Sequence, residues 1–197
     1  TIFDKDGKLL GVWGTAGDGD GEFNRPSGIA IDQEDNLYIV DSFNHRVQKF
    51  TKDGKYLAQW GSFGTNEGQF NSPWGITIDH DGCVYVVDHK NHRLQKFTPD
   101  GEYITEYGSF GTGPAELNHP CDVAVDPDGD IYICDWANNR VQIFAPDGRF
   151  LTSLLGDAQE LSKDAKVEAF SNPDAMKARR KAHSLEPEWR LVMPQGL

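Results

Sequence analysis

The chain has 197 residues, 38% of them hydrophobic, and its 19 basic and 31 acidic side chains give a net charge of −12. This length and apolar content suffice for one globular core. The acidic balance argues against general binding to nucleic-acid phosphates, which requires clustered lysine and arginine. The cysteines are odd in number and lack C-x-x-C spacing, so Cys83, Cys121 and Cys134 are predicted to be buried free thiols. No apolar run approaches the ~20 residues that a membrane span requires.

A strict repeat of 47 residues organises most of the chain. Proline, aspartate, arginine and phenylalanine recur in phase, for example at Pro26, Pro73 and Pro120. A period of this length, filled with short β-rich segments, is typical of a propeller or a solenoid. Residues that recur in every copy are expected to build the scaffold. Residues that break the period are therefore the candidates for a functional site.

Taken in chain order, the repeats predict blades of a β-propeller. Residues 1–14 align with the second half of a repeat and predict half a blade. The next repeat, residues 26–61, contains four strand-like runs joined by hairpin-length connections, at 28–32, 36–40, 46–50 and 56–60. Two further blades follow, at 73–108 and 120–156. Because four antiparallel strands are the unit of a propeller blade, the sequence predicts an all-β propeller with an incomplete ring.

The residues after the third blade leave the period. Leu161, Ala165 and Ala169 recur at helical spacing, and Asn172 with Pro173 has the composition of a helix start. We therefore predict a helical insertion at 157–190, on the same face of the disc as the other blade-to-blade loops. Residues 191–197 resemble the start of the next blade.

The number of predicted blades is too small for a closed ring. Closed propellers have about 4 to 8 blades, and the chain provides three blades, half a blade and a stub. We therefore expect part of a longer propeller. Unpaired blade edges are templates for further strands, so self-association through them is also expected.

The turn between the second and third strands of each blade carries a recognisable motif. It reads Asn44-His45-Arg46, then Asn91-His92-Arg93, then Asn138-Asn139-Arg140 as a variant. Together with Pro-x-Gly-Ile-x-Ile-Asp and Tyr-x-Val-Asp, each unit across residues 1–156 resembles an NHL repeat. The resemblance implies a propeller that usually has six blades.

The recurring aspartate and arginine are predicted to have a structural role. Each aspartate ends a second strand and each arginine opens the facing third strand, so the two can form an ion pair across the turn. The pairs are Asp41 with Arg46, Asp88 with Arg93, and Asp135 with Arg140. Phe63 and Phe110, which recur in Gly-Ser-Phe-Gly, are expected to pack between blades.

The period-breaking residues fall at the start of the innermost strands and in the second-to-third strand turns. Both places lie on one face of the predicted disc, which we call the top face. Aromatic side chains beside cations are typical of binding surfaces. The binding candidates on the top face are Phe43, Trp74, His89, Lys90, Cys121, Asp122 and Trp136.

Three classes of function are compatible with the resemblance. The favoured class is a non-catalytic scaffold that binds a protein or peptide. The second is a propeller metalloenzyme, similar to amidating lyases, in which a histidine after the blade proline binds zinc, or to calcium-dependent lactonases. Here those positions are Ser27, Trp74, Cys121 and Gln195, and Asp122 is the one inner-strand carboxylate. No catalytic residue, metal or other cofactor is therefore predicted. The third class, an RNA-binding NHL domain, is disfavoured by the acidic charge.

Overall fold

The computed structural model describes residues 1–155. The predicted helical insertion at 157–190 and the predicted blade start at 191–197 lie outside these residues. Within residues 1–155, the secondary structure consists of β-strands and short 3₁₀ turns. No helix of this part of the chain is long and apolar enough to cross a membrane.

Four short strands precede the first complete blade. They are β1 (Ile2–Phe3), β2 (Leu9–Gly11), β3 (Thr15–Ala16) and β4 (Glu22–Phe23). β1 and β2 form an antiparallel pair at the positions where a complete repeat has its third and fourth strands. β3 and β4 form a parallel pair inside the loop that leads to the first blade.

Three four-stranded antiparallel sheets follow, one for each complete repeat. The first contains β5 (Pro26–Ile31), β6 (Leu37–Asp41), β7 (Arg46–Phe50) and β8 (Tyr56–Trp60). The second contains β9 (Ile76–Ile78), β10 (Val84–Asp88), β11 (Arg93–Phe97) and β12 (Tyr103–Tyr107). The third contains β13 (Pro120–Val125), β14 (Ile131–Asp135), β15 (Arg140–Phe144) and β16 (Phe150–Leu155). Each sheet pairs its strands in sequence order, as the predicted blades require.

The strand bounds in the first blade agree closely with the prediction. β7 and β8 begin and end at the predicted residues, whereas β5 begins at Pro26, two residues earlier than expected. The pairing of β5 with β6 shifts register between Pro26 and Ile29, so a bulge lies in the innermost strand. A bulge changes the direction of the side chains beside it, here on the innermost strand of the blade.

The first strand of each blade lies on the inside of the arrangement. β9 is the neighbour of both β5 and β13, although these strands belong to different sheets. The residues that follow each blade proline therefore line the central axis.

The hydrophobic core lies between successive blades instead of inside one sheet. Tyr38, Val40 and Val47 of the first blade pack against the second blade through Val84 and Phe97. The same arrangement recurs between the second and third blades. Burial of these faces holds adjacent blades together, because the sheets themselves share no hydrogen-bonded strand pair.

The repeated Asp-Gly turn between the third and fourth strands also has an interblade contact. Gly101 has a φ of +88°, and a Cβ there would lie 2.5 Å from Trp60 of the preceding blade. Glycine is therefore required for both the left-handed backbone and the close approach of the indole ring.

Candidate binding site

A buried ion pair supports the top face in all three blades. The Nε-to-Oδ2 distances are 2.9 Å for Arg46 and Asp41, 2.9 Å for Arg93 and Asp88, and 2.7 Å for Arg140 and Asp135. Each arginine also donates to carbonyl groups of the loop that enters its blade, as Arg46 does to Gly19 and Glu22 at 2.8 and 2.9 Å. The recurring pair therefore fastens that loop to the blade.

The turn between the second and third strands presents its second residue to solvent. In the first blade a 3₁₀ turn covers Ser42–Asn44 and ends at His45, which has a φ of 55°. The backbone N–H of Phe43 donates to Asn24 O at 3.1 Å, which fixes the turn against the preceding loop. The ring of Phe43 remains 48% exposed.

A groove of about 380 Å³ lies on the top face between the first and second blades. It brings together four of the seven predicted binding residues: Phe43, Trp74, His89 and Lys90. Its remaining lining residues are Arg25, Pro26, Ser27, Ser42, Ser72 and Pro73. We call this cavity the interblade groove.

Small side chains leave the interblade groove open. Ser42 occupies the turn position that holds His89 in the second blade, and Ser72 occupies the position that holds His119 in the third. Between the second and third blades, His89 and His119 pack edge to face with their centroids 5.0 Å apart, and Trp136 lies 6.2 Å from His89. Between the second and third blades, aromatic rings thus fill the space that corresponds to the one left free by two serines between the first and second blades.

Trp74 forms a fixed wall of the groove. Its ring packs edge-on against His89, with centroids 4.5 Å apart and planes at 85°. His89 Nδ1 lies 2.9 Å from Pro120 O, which orients the imidazole. Burial lowers the pKa of His89 below its ordinary value, so this ring is neutral at pH 7. The indole is therefore held by a neutral ring that is itself anchored to the backbone.

A second cavity of about 350 Å³ lies at the mouth of the central axis. It contains the other three predicted residues, Cys121, Asp122 and Trp136, and it shares Ser27 and Trp74 with the interblade groove. Trp74 therefore stands between the two cavities. The structure distributes the predicted binding residues over two adjoining sites instead of one.

The buried thiols of Cys121 and Cys134 interact beside this second cavity. The two residues belong to one cluster with Val141. Their mutual hydrogen bond, together with burial, raises the pKa of Cys121, while the same hydrogen bond lowers the pKa of Cys134. None of the three cysteines forms a disulfide, as predicted; Cys121 and Cys134 are buried, whereas Cys83 is only partly buried.

The expectation for Phe63 and Phe110 is wrong. Both side chains are 67% exposed and do not pack between blades. Each lies instead against the histidine of the preceding turn, Phe63 at 4.9 Å from His45 and Phe110 at 4.7 Å from His92 between ring centroids. The interblade space is already filled by Phe70 and Leu117, which are fully buried.

Sequence reasoning missed Arg25. Its guanidinium carbon lies 5.1 Å from the centroid of the Phe43 ring, a cation–π contact at the edge of the interblade groove. The signal was present in the period, because Arg25 corresponds to Ser72 and His119 and so breaks the repeat. All three residues have a left-handed backbone, with φ of 59°, 52° and 50°.

Metal-ligand side chains do not converge in the part of the chain that the structure describes. Within residues 1–155, no group of three or more histidine, cysteine, aspartate or glutamate side chains could hold a metal ion. Two histidines of this face use their Nδ1 atoms locally: His92 Nδ1 accepts the backbone N–H of His119 at 3.0 Å, and His119 Nδ1 lies 2.8 Å from Asn118 Oδ1.

Four-stranded antiparallel sheets arranged with their first strands innermost define a protein of the β-propeller class. The NHL repeat family matches residues 23–50, 70–97 and 117–144, one match for each complete blade. The chain therefore belongs to the NHL-repeat propeller proteins.

Several solved structures are similar to this chain in fold. Virginiamycin B lyase from Staphylococcus aureus is 18% identical with a TM-score of 0.55, over 81% of this chain and 48% of that one. A gluconolactonase from Xanthomonas campestris is 19% identical with a TM-score of 0.51, over 66% of this chain and 46% of that one. Hydrazine synthase from Kuenenia stuttgartiensis is 17% identical with a TM-score of 0.52, over 72% of this chain and 40% of that one.

The chain spans about half the length of these solved structures. Identity at this level shows a shared fold alone. A comparison with curated proteins gives no match.

Proposed function

We propose that this chain is a binding module whose top face recognises a protein or peptide partner. The observation that carries the proposal is the pair of half-exposed aromatic rings, Phe43 and Trp74, on the two sides of a groove of about 380 Å³. Aromatic residues supply large contact area at low entropic cost and dominate the energetics of many interfaces. Because Trp74 is held by His89 before any partner arrives, little further ordering is needed on binding.

Selection of binding peptides from a displayed random library tests this proposal. Peptides that the 197-residue chain selects should bind Phe43→Ala and Trp74→Ala variants at least about tenfold more weakly, since truncation of an interface anchor costs about 2 kcal/mol or more. Leu57→Ala is the matched control, because Leu57 is 43% exposed, as Trp74 is, but lies on an outer strand. Circular dichroism and thermal unfolding establish that each variant is folded. Undiminished binding by both groove variants would remove the top face from consideration.

A propeller enzyme is the second candidate. Two observations favour it: the fold similarity to a lyase and to a gluconolactonase, and the position of Asp122 in the cavity at the mouth of the central axis. The two candidates use different cavities. An Asp122→Asn variant distinguishes the two candidates. It removes the axial carboxylate that the enzyme candidate requires, and it leaves intact the walls of the interblade groove, on which peptide binding depends.

A further inference from the structure

The interblade groove differs in charge from the rest of the protein. The chain has 31 acidic residues and a net charge of −12, yet the groove is lined by Arg25, Lys90 and no aspartate or glutamate. Arg25 belongs to the first blade's side of the groove and Lys90 to the second. The groove is therefore a local cationic site on an acidic molecule.

Both cations lack a carboxylate partner among residues 1–155. The ion pairs of this part of the chain involve neither Arg25 nor Lys90. Two lysines on the third strands of the blades do have such a partner: Lys49 pairs with Asp32 at 3.8 Å and Lys96 with Asp79 at 3.4 Å. Within residues 1–155, the Arg25 guanidinium lies against the face of Phe43, a contact that leaves its N–H groups able to bind a carboxylate.

The walls between the two cations are apolar and ordered. Phe43 lies beside Arg25, and Trp74 lines the groove from the second blade. The floor is tied together by hydroxyl groups, since Ser42 Oγ donates to Ser27 Oγ at 2.7 Å and Ser27 Oγ donates to Trp74 O at 2.9 Å. These two hydroxyls are thus used within the protein, and the charged groups remain for a ligand.

We infer that the interblade groove binds an extended peptide segment that presents carboxylate side chains on either side of an apolar side chain. This inference rests on the proposed function and names the chemistry of its partner. The apolar side chain packs between Phe43 and Trp74, and the flanking carboxylates pair with Arg25 and Lys90. Charge-assisted hydrogen bonds from arginine to carboxylate supply direction as well as attraction.

A nucleic acid fits this groove less well than an acidic peptide. Binding along a phosphate backbone requires several cations in a row, and the groove has two. The acidic balance of the chain would repel the flanking phosphates, whereas a short peptide has carboxylates only where the two cations lie. The volume of about 380 Å³ is in the range of sites for small ligands and short segments.

Two fluorescein-labelled decapeptide pools test the inference by fluorescence anisotropy. They differ only at the centre, where one has Glu-Phe-Glu and the other Gln-Phe-Gln, with identical randomised Gly/Ser/Ala flanks. We expect the Glu pool to bind the 197-residue chain about tenfold more tightly, with a preference that shrinks as salt increases. The Arg25→Gln/Lys90→Gln double variant should lose this preference. Lys55→Gln is the control, because Lys55 is exposed and lies on a strand 3–4 turn away from the groove.

The outcomes separate this inference from the proposed function. Equal binding of the two pools, or a preference that the double variant retains, overturns the inference. If Trp74→Ala still weakens the library-selected peptides in that case, the proposed function stands without the charge selectivity. Failure of the Glu pool to bind at all also overturns the inference. Tighter binding of a uridine decanucleotide than of the Glu pool overturns it in favour of a nucleic-acid surface.

Discussion

At the scale of single residues, each complete blade contains a buried charge pair that joins its second and third strands. The Asp88 carboxylate is fully buried and accepts hydrogen bonds from Asn71 N–H at 2.7 Å, Asn91 Nδ2 at 2.9 Å and Arg93 Nε at 2.9 Å. Burial raises the pKa of Asp88, and these hydrogen bonds oppose that rise. Loss of the carboxylate would leave the Arg93 guanidinium buried without its counter-charge.

We predict that Asp88→Asn lowers the free energy of unfolding by about 3–5 kcal/mol, the cost of breaking a buried ion pair by removing one partner. Urea unfolding followed by circular dichroism measures this change. Asp81→Asn is the control, because the Asp81 side chain is 89% exposed and its change should stay within about 0.5 kcal/mol. Equal stability of the two variants would show that the pair is dispensable.

At the scale of elements, the histidine of the turn between the second and third strands joins one blade to the next. His45 Nδ1 accepts the N–H of Ser72, and His92 Nδ1 accepts the N–H of His119, both at 3.0 Å. A proton on Nδ1 would abolish either bond. Burial lowers the pKa of both histidines, so the folded protein favours the neutral rings that these bonds require.

The pH dependence of stability follows from this shift. The unfolded histidines have a pKa of about 6.5, and the folded values are lower, so the stabilisation is complete above about pH 6.5 and is lost as the pH falls through the folded values. We expect the free energy of unfolding to decrease from pH 7 to pH 5. His92→Asn should flatten part of this slope, because the asparagine side chain does not titrate. Asparagine suits the backbone here, since Asn139 occupies the same left-handed position in the third blade. An unchanged slope in that variant would contradict a role for His92.

At the scale of the whole molecule, the first complete blade has an uncovered apolar face. Ile29 and Ile31 on its innermost strand β5 are 61% and 62% exposed. Ala30, between them, points to the other side and packs against the core shared with the second blade. Two neighbouring isoleucines on an exposed inner strand form a surface that favours association.

We therefore predict that the 197-residue chain self-associates and that Ile29→Lys/Ile31→Lys lowers its mass in sedimentation equilibrium. Ile104→Lys is the control, because Ile104 is 45% exposed but lies on the outer strand β12. A monomeric wild-type chain at all concentrations, with a sharp thermal transition, would refute the prediction.

Much of the fold could be predicted because blades are local structures. Each strand of a blade pairs with strands that are near it in sequence, so alternation and turn residues within one repeat suffice to place β7 and β8 correctly. It was harder to predict which binding candidates lie together. Period-breaking positions predicted that they share one face, but did not indicate that Trp74 separates two cavities.

The sequence by itself determined the 47-residue repeat, the four-stranded blades and the scaffold residues, because these are imposed again in every copy. Only the tertiary structure decided which side chains meet between copies. It brings Arg25 onto Phe43, opens a groove above Ser42 and Ser72, and exposes Phe63 against His45. The physical reason is that these contacts join different loops, whose relative positions are set by the packing of one blade on the next.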